Sequence, residues 1–104
     1  MGDRRKNLDK IFPGTGQWDA ELKIWAKTFH MSIWESDGIW IVSQAEGDTH
    51  FKGGNDPIKT LQVMAGYART KKSGDWVSKT FGRNCMMELC LIFNLKIYDE
   101  RYVE

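Results

Sequence analysis

Prolines, cysteines and histidines are scarce in this chain, with only two of each among 104 residues. Cys85 and Cys90 stand five apart within an apolar run, with no further cysteine to complete a metal quartet. That setting is the one expected of buried, reduced thiols. Long hydrophobic runs are absent as well. The nearest to the roughly 20 apolar residues that cross a bilayer is Cys85 to Tyr98, which carries Glu88, Asn94 and Lys96. The amino terminus, Met1-Gly2-Asp3-Arg4-Arg5-Lys6, has no signal-type hydrophobic stretch, and Lys6 stands where a myristoylation start requires Ser or Thr. An excess of one charge is also lacking: 15 basic against 14 acidic residues give a formal +1, far from the cationic balance of many nucleic-acid and membrane-surface proteins. These shortages predict a cytoplasmic protein with no membrane partnership.

What is present suffices for one core. With 41% hydrophobic and 28% charged residues, the sequence reads as one globular domain spanning 1–104, with a polar N-terminal arm over about 1–12. The predicted class is α+β. Trp18, Leu22, Trp25 and Phe29 recur at helical spacing and predict a helix over about 18–28. Asp37-Gly38 between alternating apolar residues is the signal for a tight type I′ hairpin, and Gly47-Asp48 suits a second turn, which makes a three-stranded antiparallel meander over about 29–53. Asn55-Asp56-Pro57 supplies a cap and a first-turn proline for a helix over about 56–70. Lys71-Lys72-Ser73-Gly74 reads as a solvated break, followed by a short turn through Trp76 and Phe81 that ends at Gly82. The apolar segment 85–98 fits either a strand, by its odd positions, or a helix, by composition and length, and helix is favoured.

The turns also predict the register. Ser36 opposite Ile39 sets Trp34 against Ile41 and Ile33 against Val42, and a two-residue turn at Gly47-Asp48 would set Gln44 against Phe51. One face then carries Phe29, Met31, Ile33, Trp40, Val42 and Phe51 toward the core, and the other carries His30, Ser32, Trp34, Ile41, Ser43, His50 and Lys52. In this register Ala45 opposes both His30 and His50, placing them about 9.5 Å apart, too wide for an ordinary two-histidine metal site. Neither Gly14-Thr15-Gly16 nor the stretch from Gly66 to Ser73 has the residues of a phosphate loop. No nucleophile elbow accompanies Ser32 and Ser43. The expectation is a non-enzyme with no catalytic residues, cofactor or bound metal.

Charge is unevenly spread. From Pro13 to Thr49 two lysines face six acids, whereas from His50 to Asn84 seven basic residues face only Asp56 and Asp75. The leading expectation is a small protein-binding module: an inhibitor, adaptor or subunit, of a kind that phages and mobile elements also encode. Its anchor would be Trp34, Ile39 and Ile41, edged by Glu35, Asp37, Glu46 and Asp48, and its partner would present a basic surface. A cover over Trp34 by the segment 85–98 is the competing expectation for that face. The alternative function is nucleic-acid binding through Lys52, Lys59, Arg69, Lys71, Lys72, Lys79 and Arg83, with Tyr67 and Trp76 interleaved. The order helix, three strands, helix over residues 18–70 resembles that of double-stranded-RNA-binding domains. The resemblance is one of order alone: those domains open their second helix with a lysine cluster, and this one opens Asp56-Pro57-Ile58-Lys59-Thr60.

Overall fold

Eight elements follow one another in the computed structural model, which describes residues 8–45 and 49–97. They are α1 (Leu8–Ile11), α2 (Asp19–Thr28), β1 (Met31–Ser36), β2 (Ile39–Gln44), β3 (His50–Lys52), α3 (Pro57–Tyr67), α4 (Lys71–Phe81) and α5 (Arg83–Ile92). The class is α+β, with the strands in the order β1-β2-β3 forming one antiparallel sheet. The helices bury their apolar stripes in a single core shared with one face of that sheet, where Met31, Ile33, Val42 and Phe51 point.

Local chemistry explains most element boundaries. Asp37 and Gly38 both take positive φ, at 52° and 80°, as a type I′ turn requires, and the pairing Ser36↔Ile39, Trp34↔Ile41, Ile33↔Val42 follows. The Asp56 side chain accepts the Lys59 backbone N–H at 2.9 Å, and Pro57 occupies the first turn of α3, as the sequence predicts. The α2 stripe is buried at Leu22 and Trp25 and partly so at Trp18 and Phe29. Its start is secured by Asp19, whose carboxylate accepts the backbone N–H of Gly14 at 3.0 Å and of Gly16 at 2.9 Å. A carboxylate at that end also opposes the positive pole of the helix.

Several expectations need correction. The N-terminal arm is not polar throughout: Leu8 and Phe12 are both fully buried, and α1 is the turn of helix that presents them to the core. Residues 1–7 of the arm lie outside the described residues. Phe29 and His30 are not strand. Phe29 N–H donates to Trp25 O and His30 N–H to Lys27 O, and His30 turns to φ 56°, closing the helix before β1 begins. The β2–β3 register differs by two residues: Val42 opposes Phe51 and Ser43 opposes His50. A shift of two preserves which face each residue occupies, so the inner and outer sets survive the correction. The proposed turn at Gly47-Asp48 lies outside the described residues.

Residues 71–74 form the first turn of an 11-residue helix rather than a break. Thr70 is its N-cap residue and shares a hydroxyl hydrogen bond with Ser73, while Gly74, Val77 and Phe81 line its buried side. The segment 85–98 is helical as favoured, but only to Ile92. Asn94 takes φ 58°, and the Leu95 N–H returns to Cys90 O at 2.8 Å, a helix-ending pattern.

Candidate functional site

The outer face of the sheet carries the three residues that the sequence suggests as an anchor. The register places Trp34, Ile41 and Lys52 in one row, Ser32, Ser43 and His50 in the next, and Ile39 beside the turn. Trp34 and His50 stand on strands flanking β2, yet their rings meet edge to face with centroids 5.3 Å apart. Both side chains must therefore lean inward over β2. Ile41, only 7% exposed, and the buried Ser43 lie on that strand between them, outside the main core cluster. The sequence-derived trio thus shares a face, but Ile41 is sealed and only Ile39 is openly exposed.

Of the acidic rim, the two described residues do not join this trio on the face. Glu35 opposes Trp40, so it belongs to the opposite face, and Asp37 sits in the turn. Glu46 and Asp48 lie outside the described residues. Among the described residues, the ionisable neighbours on the outer face itself are His50 and Lys52. The described part of the segment 85–98 does not cover Trp34 either. Cys85 Sγ lies 3.9 Å from Met31 Sδ, and Met31 points inward, so α5 runs on the other side of the sheet. His30 opposes Ala45 through the Ala45 N–H bond to His30 O, whereas His50 opposes Ser43. Two strand spacings and two residues along the strands put the histidine backbones roughly 12 Å apart.

The basic candidates divide between surfaces. Lys52 is on the outer sheet face, and Arg69 is exposed in the link between α3 and α4. Lys71 opens α4 and Arg83 opens α5. Lys59, Val63 and Tyr67 succeed each other every four residues along α3. On α4, Lys72 and Lys79 lie four before and three after Trp76, within about 60° of it around the helix. A ladder of rings joins these helices to the sheet: Phe51 to Tyr67 at 5.1 Å, Tyr67 to Trp76 at 6.3 Å and Trp76 to Phe81 at 6.2 Å. Its ends are buried, and its middle rungs, Tyr67 and Trp76, are each 43% exposed. Trp76 is therefore a helix-surface residue.

A third surface escaped sequence reading. Between α2 and α5 lies a groove of about 330 Å³ lined by Glu21, Ile24, Trp25, Thr28, Phe29, Glu88 and Ile92. The Trp25 indole N–H donates to Cys85 O at 2.9 Å, which joins the two helices beneath it. Thr28 Oγ1 donates to Ile24 O at 2.7 Å, so its hydroxyl is already engaged. The lining is apolar except for that hydroxyl and two carboxylates. Ile24 on α2 and Leu91, one turn beyond Glu88 on α5, are each 66% exposed, more than any other large hydrophobic among the described residues. The available signals were Ile24 off the apolar stripe of its helix, and Met87 with Leu91 at a four-residue spacing that also fits strand alternation.

Both cysteines are buried free thiols. Burial pushes the Cys85 thiol up to about 12, offset in part by the Trp25 indole, and burial raises Cys90 too, offset in part by Arg69. Neutral thiols of this kind are poor nucleophiles. Among the described residues no group of three or more His, Cys, Asp or Glu side chains converges as a metal site would, and no helix is long and apolar enough to cross a membrane. Comparison with known protein families, with curated proteins and with solved structures finds no match to this chain.

Proposed function

We propose that the protein is a non-catalytic, cytoplasmic protein-binding module, an inhibitor, adaptor or subunit, that receives an apolar segment of its partner in the α2–α5 groove. The observation that carries this reading is Ile24, 66% exposed beside an apolar floor of Trp25, Phe29 and Ile92, with the equally exposed Leu91 one helical turn along α5 from the rim residue Glu88. Single exposed aliphatic residues are ordinary on any surface, but two on adjoining helices beside a preformed groove are the arrangement of a helix-in-groove or peptide site. At about 330 Å³ the groove is at the small end of the range for ligand pockets and suits one or two aliphatic side chains. Glu21 and Glu88 at its rim favour a partner whose anchors are flanked by Lys or Arg, which retains the basic partner expected from sequence while moving the site away from the sheet.

The test is recovery of partners from native lysate on immobilised protein, with and without nuclease, comparing wild type with Ile24→Arg, Leu91→Arg and Trp34→Ala. Both arginine variants replace exposed side chains and should hold stability within about 0.5 kcal/mol. A partner that survives nuclease, is lost with Ile24→Arg and Leu91→Arg, and is retained by Trp34→Ala supports the groove. Loss with Trp34→Ala in a stably folded protein, with the arginine variants still binding, would return the site to the outer sheet face.

A further inference from the structure

We infer that the α3–α4 surface is a second, separate binding site, and that its ligand is single-stranded nucleic acid. Three of the large hydrophobics exposed on the described residues, Val63, Tyr67 and Trp76, sit on these two adjoining helices. Tyr67 and Trp76 are in ring contact at 6.3 Å, so they form one aromatic patch rather than two isolated side chains. Two lysines stand beside the patch, Lys72 and Lys79 on the same side of α4 as Trp76, while Lys59 lies about two turns before Tyr67 on α3. Asp75 lies about 100° around α4 from Trp76, beyond the lysines, and Asp56 is occupied in capping α3 through the Lys59 N–H.

Two further features favour this ligand. The two exposed middle rungs are held from behind, because Tyr67 packs against the buried Phe51 and Trp76 against the buried Phe81. Rings fixed by the core lose little freedom when a base stacks on them, which is the economy of a preorganised site. Unpaired bases offer π faces to such rings and a phosphate backbone to flanking lysines, whereas a duplex hides its base faces and would meet only the charge. The α2–α5 groove, rimmed by the carboxylates of Glu21 and Glu88, carries the opposite charge, so the two sites would not compete for one ligand.

The experiment is fluorescence anisotropy with a labelled oligothymidylate of about 20 nucleotides, longer than a typical single-domain footprint, run beside its blunt duplex at several salt concentrations. The expected result is binding at low salt that falls as salt rises and favours the single strand. Lys72→Ala with Lys79→Ala should reduce the slope of log affinity against log salt by roughly 1.4, about 0.7 per lost phosphate contact. Trp76→Leu should weaken binding about 10-fold without changing that slope, as loss of one stacked base does. The paired lysine variant removes no ring contact, so the slope tests the inference even where Trp76→Leu unfolds. Binding by Ile24→Arg should equal wild type, which separates this site from the groove. Absence of low-salt binding, equal affinity for the duplex, a slope unaltered in the lysine pair, or wild-type affinity in a folded Trp76→Leu protein would each overturn it. So would displacement of the oligonucleotide by polyglutamate with the same dependence on Trp76, which would assign the surface to an acidic polypeptide.

Discussion

Replacement of Gly53 by alanine tests how β3 is joined to α3. Gly53 lies just past β3 and continues its ladder: its N–H donates to Trp40 O, and Gly54 O accepts from Trp40 N–H, both at 3.0 Å. A Cβ built at Gly53 would meet Thr60, approaching its Oγ1 to 2.6 Å and its Cβ to 2.7 Å, with Cγ2 nearer still. Thr60 is fully buried and doubly engaged, with Oγ1 donating to Asp56 O at 2.8 Å and accepting the Gly54 N–H at 3.1 Å. Rotating the side chain would release those two bonds, each worth about 0.5–1.5 kcal/mol, and would not move Cβ. The remaining contact must be relieved by backbone movement, at the ~1–3 kcal/mol typical of overpacking. Gly53→Ala should therefore cost about 2–6 kcal/mol, measured by urea unfolding at 25 °C, and lower Tm by at least roughly 10 °C for a domain of this size. Thr60→Ala removes two of the three opposing atoms. In that background the cost of Gly53→Ala should shrink, giving a coupling of at least ~1 kcal/mol in the double-mutant cycle. A Gly53→Ala protein within about 0.5 kcal/mol of wild type, or costs that simply add, would refute the reasoning.

Three other substitutions have expected outcomes. Gly66, inside α3 with open space at its Cβ position, should tolerate alanine and gain about 0.5–1 kcal/mol in the same denaturation assay, the reverse of Gly53. Gly38→Val should destabilise by more than about 1 kcal/mol although its Cβ would touch nothing, because a β-branched residue is strained at φ 80°. The Cys85 thiol stays protonated in the fold up to about 12, while in the unfolded chain it ionises near its ordinary value of 9.0. Stability is therefore fully present below pH 9 and declines as pH rises from there toward 12, by about 1.4 kcal/mol per unit where the native state alone retains the proton. Unfolding free energies of wild type and Cys85→Ala compared at pH 8 and pH 10 should show the smaller decline in the variant.

The parts legible from the chain were those whose causes lie within a few residues. Asp37-Gly38 determines a hairpin because a type I′ turn needs two left-handed residues, and that turn alone sets the β1–β2 pairing down to Met31↔Gln44. Asp56-Pro57 determines the start of α3, and the Trp18, Leu22, Trp25, Phe29 spacing determines the buried side of α2. Where the determining partner is remote, local reading failed. Lys71 to Gly74 resemble a loop in isolation, yet α4 starts there because Val77 and Phe81 have a core to enter and Thr70 with Ser73 settles its first turn. Leu8 and Phe12 are too few to declare a core element by periodicity, and only the assembled interior gives them a place. The β2–β3 register depended on a connection whose length the Gly47-Asp48 signal could not specify. The candidate surfaces follow the same division. Trp34, Ile39 and Ile41 share a face by simple alternation, but whether each is offered or sealed depends on His50 reaching over β2 from another strand. The groove needs Trp25 to meet the carbonyl of Cys85 across 60 residues of chain, and the Tyr67–Trp76 patch needs α3 and α4 to pack side by side. Sequence determined which faces each element would have; only the packing of those elements decided which faces remained at the surface together, because burial is a property of neighbours that the chain brings from far apart.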